Sequence, residues 1–135
     1  MEPRISFVTL GVLDLDRATR FYEQVLKLPR IPMPDGAGVS FFEMGRTWLS
    51  LFPREDLAKD AGVSMEKGPG FAGFTLAHNL GSIEAVDALF AELRSAGVTI
   101  VKEPQRTPWG GYCGYFADSE EFLWEVAWNP HFPHA

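Results

Sequence analysis

The strongest constraint in this 135-residue chain is that its second half repeats its first. Leu15, Ala18, Phe21, Tyr22 and Val25 fall at the spacing of one helical face, and the same face returns 68 residues later as Ile83, Val86, Leu89, Phe90 and Leu93. Two ordinary amphipathic helices are the alternative, since such stripes are common, but one offset holding at all five positions is hard to attribute to chance. Both segments also carry start signals: Asp14 and Asp16 precede the first and Ser82 the second, while Gly97 closes the second. A duplication of this kind makes each half a supersecondary unit, and the fold must bury the same face twice.

Strand signals complete the units. In the first half "ISFVTLGV" (5–12), "VSFFEM" and "TWLSLF" read as strands, the last two joined at Gly45-Arg46 as a tight hairpin. Pro29, Pro32 and Pro34 end the first helix and make an edge-like connection. In the second half "FAGFTLA" (71–77), "VTIVKEP", "YCGYF" and "FLWEVAW" play the same parts, after a polar stretch with a short helix at "REDLAKDA". The expected class is α+β: one domain over residues 1–135, with repeat one at about 5–52, a linker at about 53–70 and repeat two at about 71–130. Two tandem βαβββ repeats with curled mixed sheets would set two concave faces side by side and leave a cleft.

Composition excludes several functions. The formal net charge is -6 and the basic residues are scattered, which argues against nucleic acid and anionic membrane surfaces as partners. No apolar stretch reaches the roughly 20 residues needed to span a bilayer, and no signal-peptide pattern opens the chain. Cys113 is the only cysteine, so an internal disulfide is impossible and a cytoplasmic setting is expected. A small-molecule ligand and a homodimeric assembly are the expected partners, with no cofactor.

Three segments carry a resemblance to a known family: "FVTLGVLDLDRATRFYEQVLKL" at 7–28, "FFEMGRTWLSLF" at 41–52 and "GGYCGYFADSEEFLWEVAWNP" at 110–130. Together they make the chain similar to the vicinal oxygen chelate superfamily, which includes glyoxalase I, extradiol dioxygenases and the bleomycin and fosfomycin resistance proteins. Its metal-dependent members place one ligand on the first strand and one on the last strand of each repeat. Carried over, those positions fall on Phe7, Ser50, Phe71 and Glu125, and only the last keeps a ligand. A divalent ion needs several replacement ligands, so the resemblance implies a fold without its metal quartet: metal, none. His78, His131 and His134 are the only imidazoles from which a site could be rebuilt. The turn before the last strand also departs from the family's usual Asp-Pro-Asp/Glu-Gly, reading Asp118-Ser119-Glu120-Glu121.

Glu125 is the one charge within Phe122–Trp128, and a lone carboxylate on a buried strand costs several kcal/mol unless something pairs with it. It is the candidate catalytic residue, as a general acid or base; the alternative is a structural carboxylate paired with an arginine such as Arg46. Alternation puts Phe7, Thr9 and Gly11 on one face, and likewise Trp48, Ser50 and Phe52, Phe71, Gly73 and Thr75, and Leu123, Glu125 and Ala127. The candidate ligand-binding residues are therefore Phe7, Thr9, Trp48, Ser50, Phe71 and Thr75, joined by Trp109 and Tyr112 from the loop "TPWGGY". An aromatic lining with few polar points suits a partly apolar organic ligand. The competing expectations are an enzyme of the same superfamily, resembling lactoylglutathione lyase, an isomerase or a dioxygenase, and a scaffold domain whose aromatic positions are core.

Overall fold

The computed structural model describes residues 1, 3, 5–62, 64–66, 71, 72 and 74–131. The chain divides into two compact units, Met1–Gly68 and Pro69–Ala135.

In the first unit, β1 (Phe7–Val12) runs parallel to β3 (Thr47–Pro53), and β2 (Ser40–Met44) pairs with β3 antiparallel, in the order β1-β3-β2. The hairpin turns at Gly45, whose φ of +70° needs a residue without a Cβ. Helix α1 (Leu15–Arg20) starts where the Asp14 carboxylate accepts the Arg17 N–H at 3.0 Å. It continues through one π-helical turn, Phe21–Val25, which closes with the Leu26 N–H donating to the Phe21 carbonyl. Its apolar stripe buries Ala18 and Tyr22 against Leu10, Val12, Leu49, Leu51 and Phe42, and the Tyr22 and Phe42 rings lie 5.8 Å apart. Each fully buried side chain of this size contributes about 1.5–3 kcal/mol of apolar transfer. A buried hydroxyl pair, Thr19 with Ser40 at 2.7 Å, ties α1 to β2.

A further strand expected in this unit is reduced to a single bridge, Arg30 with Phe42, extended by the Ile31 N–H donating to the Phe41 carbonyl. Pro29, Pro32 and Pro34 explain it, since a proline has no N–H to give a ladder. Helix α2 (Arg54–Ala61) lies over the other face of the sheet at its Gly11 end, where Leu57 comes within 3.2 Å of a Cβ built on Gly11.

The second unit has the full four strands. β4 (Leu76–Leu80) runs parallel to β7 (Leu123–Trp128); β6 (Tyr112–Ala117) pairs antiparallel with both β7 and β5 (Thr99–Arg106), giving β4-β7-β6-β5. The strand expected at 71–77 instead begins at Leu76. Aromatic residues at Phe71 and Phe74 imitate a strand interior, yet pairing with β7 runs through Ala77-His78-Asn79 of an edge strand, with Ala77 and His78 exposed. Helix α3 (Ile83–Ser95) is capped by Ser82, whose hydroxyl accepts the Ala85 N–H at 3.1 Å. It buries Val86, Phe90 and Leu93 against Phe116, Trp124 and Val126. A Cβ on Gly114 would meet the Phe90 ring at 2.7 Å, so only glycine lets helix and sheet approach this closely.

Candidate functional site

Each sheet turns one face to its long helix and presents the other as the candidate surface. In the first sheet the register sets Phe7 beside Trp48, Thr9 beside Ser50 and Phe41 beside Ser50, so all five side chains share the face opposite α1. Phe7, Phe41 and Trp48 form a mutual cluster with ring centroids 5.9, 5.9 and 6.1 Å apart. Phe7 is nonetheless 50% exposed, because α2 covers only the Gly11 end of this face. Beside the rings the Thr9 and Ser50 hydroxyls bond at 2.5 Å, with Ser50 buried. This surface is apolar, ring-lined and uncharged at its centre, with Glu43 at its margin next to Trp48.

On the second sheet the partner the structure gives Glu125 is Tyr115, directly opposite it on β6. The Tyr115 hydroxyl donates to Oε2 of Glu125 at 2.5 Å. That hydrogen bond, ahead of burial and the carboxylate's charge, pushes the Tyr115 phenol up to about 12. Cys113 lies on the same face, and burial first, then the Glu125 charge, pushes its thiol up, while Lys102 pulls it down. A raised thiol is a poor nucleophile. Ala77 stands beside Glu125 on β4, a small exposed side chain next to the carboxylate.

The remaining candidates are placed as follows. Ala77 lies beside Glu125 as Thr9 lies beside Ser50, so the residue two before Ala77, Thr75, holds in this unit the place of Phe7. Phe71 lies ahead of β4 and is 67% exposed. Tyr112 stands on the opposite, helix-facing side of β6, where its hydroxyl donates to Asp87 of α3 at 2.6 Å; that bond, before burial and the aspartate charge, raises its pKa. Trp109 caps the loop between β5 and β6, which is tied by the Gly111 N–H donating to the Thr107 hydroxyl at 3.0 Å. Its indole lies across Gly111 and is 44% exposed. His78 is on β4 and His131 is exposed after β7, whereas His134 lies outside the described residues. Among the described residues no three His, Cys, Asp or Glu side chains are grouped to hold a metal ion.

Phe41, Tyr115 and Lys102 escaped the reading of the sequence. Phe41 was derivable: a two-residue turn at Gly45-Arg46 forces Phe41 opposite Ser50. Tyr115 required the geometry of the longer β6–β7 turn.

The family model described as the Glyoxalase/Bleomycin resistance protein/Dioxygenase superfamily matches residues 4–126. Among solved structures, a glyoxalase-related enzyme from Fulvimarina pelagi is 30% identical with a TM-score of 0.85, the match covering 98% of this chain and 92% of that one. A lactoylglutathione lyase from Agrobacterium tumefaciens, 22% identical over 100% of both chains, shares the fold with a TM-score of 0.76. The Bacillus subtilis (strain 168) protein YraH is 26% identical over 122 residues, 88% of this chain and 93% of that protein. No helix among the described residues is long and apolar enough to cross a membrane.

Proposed function

Because the chain belongs to the Glyoxalase/Bleomycin resistance protein/Dioxygenase superfamily, we propose that it binds a small organic ligand with an aromatic portion on the open face of its first sheet, without a resident metal ion. The observation that carries this reading is the Phe7, Phe41 and Trp48 cluster. Three rings in contact on a sheet face, one of them half exposed, form a stacking surface that core packing alone does not require.

The donor chemistry supports the metal-free part. Phe7 has no lone pair to offer, the Ser50 hydroxyl is already bonded to Thr9, and Glu125 has a phenol on one oxygen. Such a set does not replace the water shell of a hard divalent cation.

Titrating the protein with planar aromatic compounds and following tryptophan fluorescence tests the reading. Trp48→Ala and Phe7→Ala are each expected to weaken binding about tenfold or more, with a chelator making no difference. Phe7→Ala should cost less than about 2 kcal/mol of stability, against about 3–5 kcal/mol for the fully buried Phe42→Ala. Binding unchanged in both ring variants, or abolished by the chelator, overturns it.

Catalysis at Glu125 is a second reading, favoured by a carboxylate that Tyr115 orients while leaving one oxygen open. Turnover lost in Glu125→Gln with ligand affinity retained would establish it.

A further inference from the structure

We propose that the open face of the second sheet is a binding site of its own, for a zwitterionic small molecule whose cationic end meets Oε1 of Glu125 and whose anionic end meets the Lys102 ammonium. It goes beyond the aromatic surface of the first sheet and does not require that surface to be filled.

The geometry is a row across all four strands. Ala77 on β4 pairs with Glu125 on β7, Glu125 with Tyr115 on β6, and Tyr115 with Lys102 on β5. Neighbours in such a row have side chains on one face. Two strand spacings separate the acid from the base, about 10 Å between their Cα atoms.

β5 itself shows why Lys102 belongs to the row. The register slips between Ile100 and Lys102 and again between Lys102 and Gln105, and such a bulge re-aims the side chains it carries. The ammonium acts on the Cys113 thiol, which faces the same side as Glu125.

Neither charge is neutralised by the other. Tyr115 stands between them and engages Oε2 of Glu125, while for Oε1, and for the Lys102 ammonium, the described residues supply no hydrogen-bond or ion-pair partner. The Tyr115 bond also fixes the carboxylate's orientation before any ligand arrives, which lowers the ordering cost of binding. Around the row, Ala77, Leu123, Asn79 and the buried Cys113, Ala117 and Ala127 stand on Glu125's side of the strands. Opposite unit charges two strands apart, with the Tyr115 ring between them, match a molecule carrying an amine at one end and a carboxylate at the other.

β-Alanine, γ-aminobutyrate and ε-aminocaproate form a ruler of increasing charge separation. Each is titrated into the intact protein while backbone amide chemical shifts are followed. One length should saturate the shifts of Glu125, Tyr115 and Lys102, and butylamine and butyrate should bind at least about tenfold more weakly than it does. Glu125→Gln and the exposed, readily tolerated Lys102→Met should each weaken binding at least about tenfold, with Lys102→Arg retaining it. No binding by any member, equal binding by the singly charged analogues, or affinity unchanged in both charge-removing variants overturns the proposal. Aromatic probes that quench tryptophan fluorescence report on the first sheet separately, so either idea can fail while the other stands.

Discussion

A phenol that donates to a carboxylate cannot lose its proton without setting two negative charges side by side. Tyr115 is held in that position by Glu125, and its proton leaves only at about pH 12, against an ordinary value of 10.0. Because the folded value is raised, the stability this bond contributes is fully present below pH 10 and is lost as pH rises toward 12. Urea unfolding followed from pH 8.5 to 11.5 should therefore show a fall in stability at the alkaline end that Tyr115→Phe makes shallower. An equal fall in both proteins would mean the bond does not form in solution. At this scale the sequence marked Glu125 as needing a partner, because a carboxylate among apolar neighbours demands one. The partner's identity was out of reach: an arginine such as Arg46 was the structural alternative to a catalytic carboxylate, and the residue that bonds Glu125 is a tyrosine ten positions away on the adjacent strand.

Among the elements, the turn between β6 and β7 shows how a departure from the family pattern is absorbed. At the position where the resemblance leads one to expect glycine, Glu121 takes φ +69°, a backbone region that costs a side chain about 1 kcal/mol or more. The turn survives because the buried Asp118 carboxylate accepts the N–H groups of Glu120 and Phe122, both at 2.8 Å. Glu121→Gly should then stabilise the protein by about 0.5–1 kcal/mol, and Asp118→Ala should destabilise it by about 2–4 kcal/mol through two orphaned donors. Urea denaturation midpoints at neutral pH measure both; a destabilising Glu121→Gly would show that the strain is not real. Helices were the most legible elements. A cap and a 3.6-residue stripe are local, so α1, α2 and α3 stand where the sequence put them. Strands depend on pairing, which is not local, and this is why three prolines left only the Arg30 bridge in the first unit and why β4 begins at Leu76.

For the whole molecule the deciding quantity is charge. With a formal charge of -6 and a pI near 5.0, the protein should bind an anion exchanger at pH 7, flow through a heparin column and reach its solubility minimum near pH 5. Retention on heparin at moderate salt would contradict the reading of its basic residues as scattered. The sequence by itself determined the duplication, the α+β class, the three helices and the parity of β1, β3, β4 and β7, because hydrophobic period and capping chemistry are written in consecutive residues. Tertiary structure alone decided which residues meet: Phe41 with Phe7 and Trp48, Tyr115 with Glu125, and Lys102 in line with both. Such meetings follow from register, and register is fixed by turns, bulges and the burial of the opposite face, which act on whole strands at once.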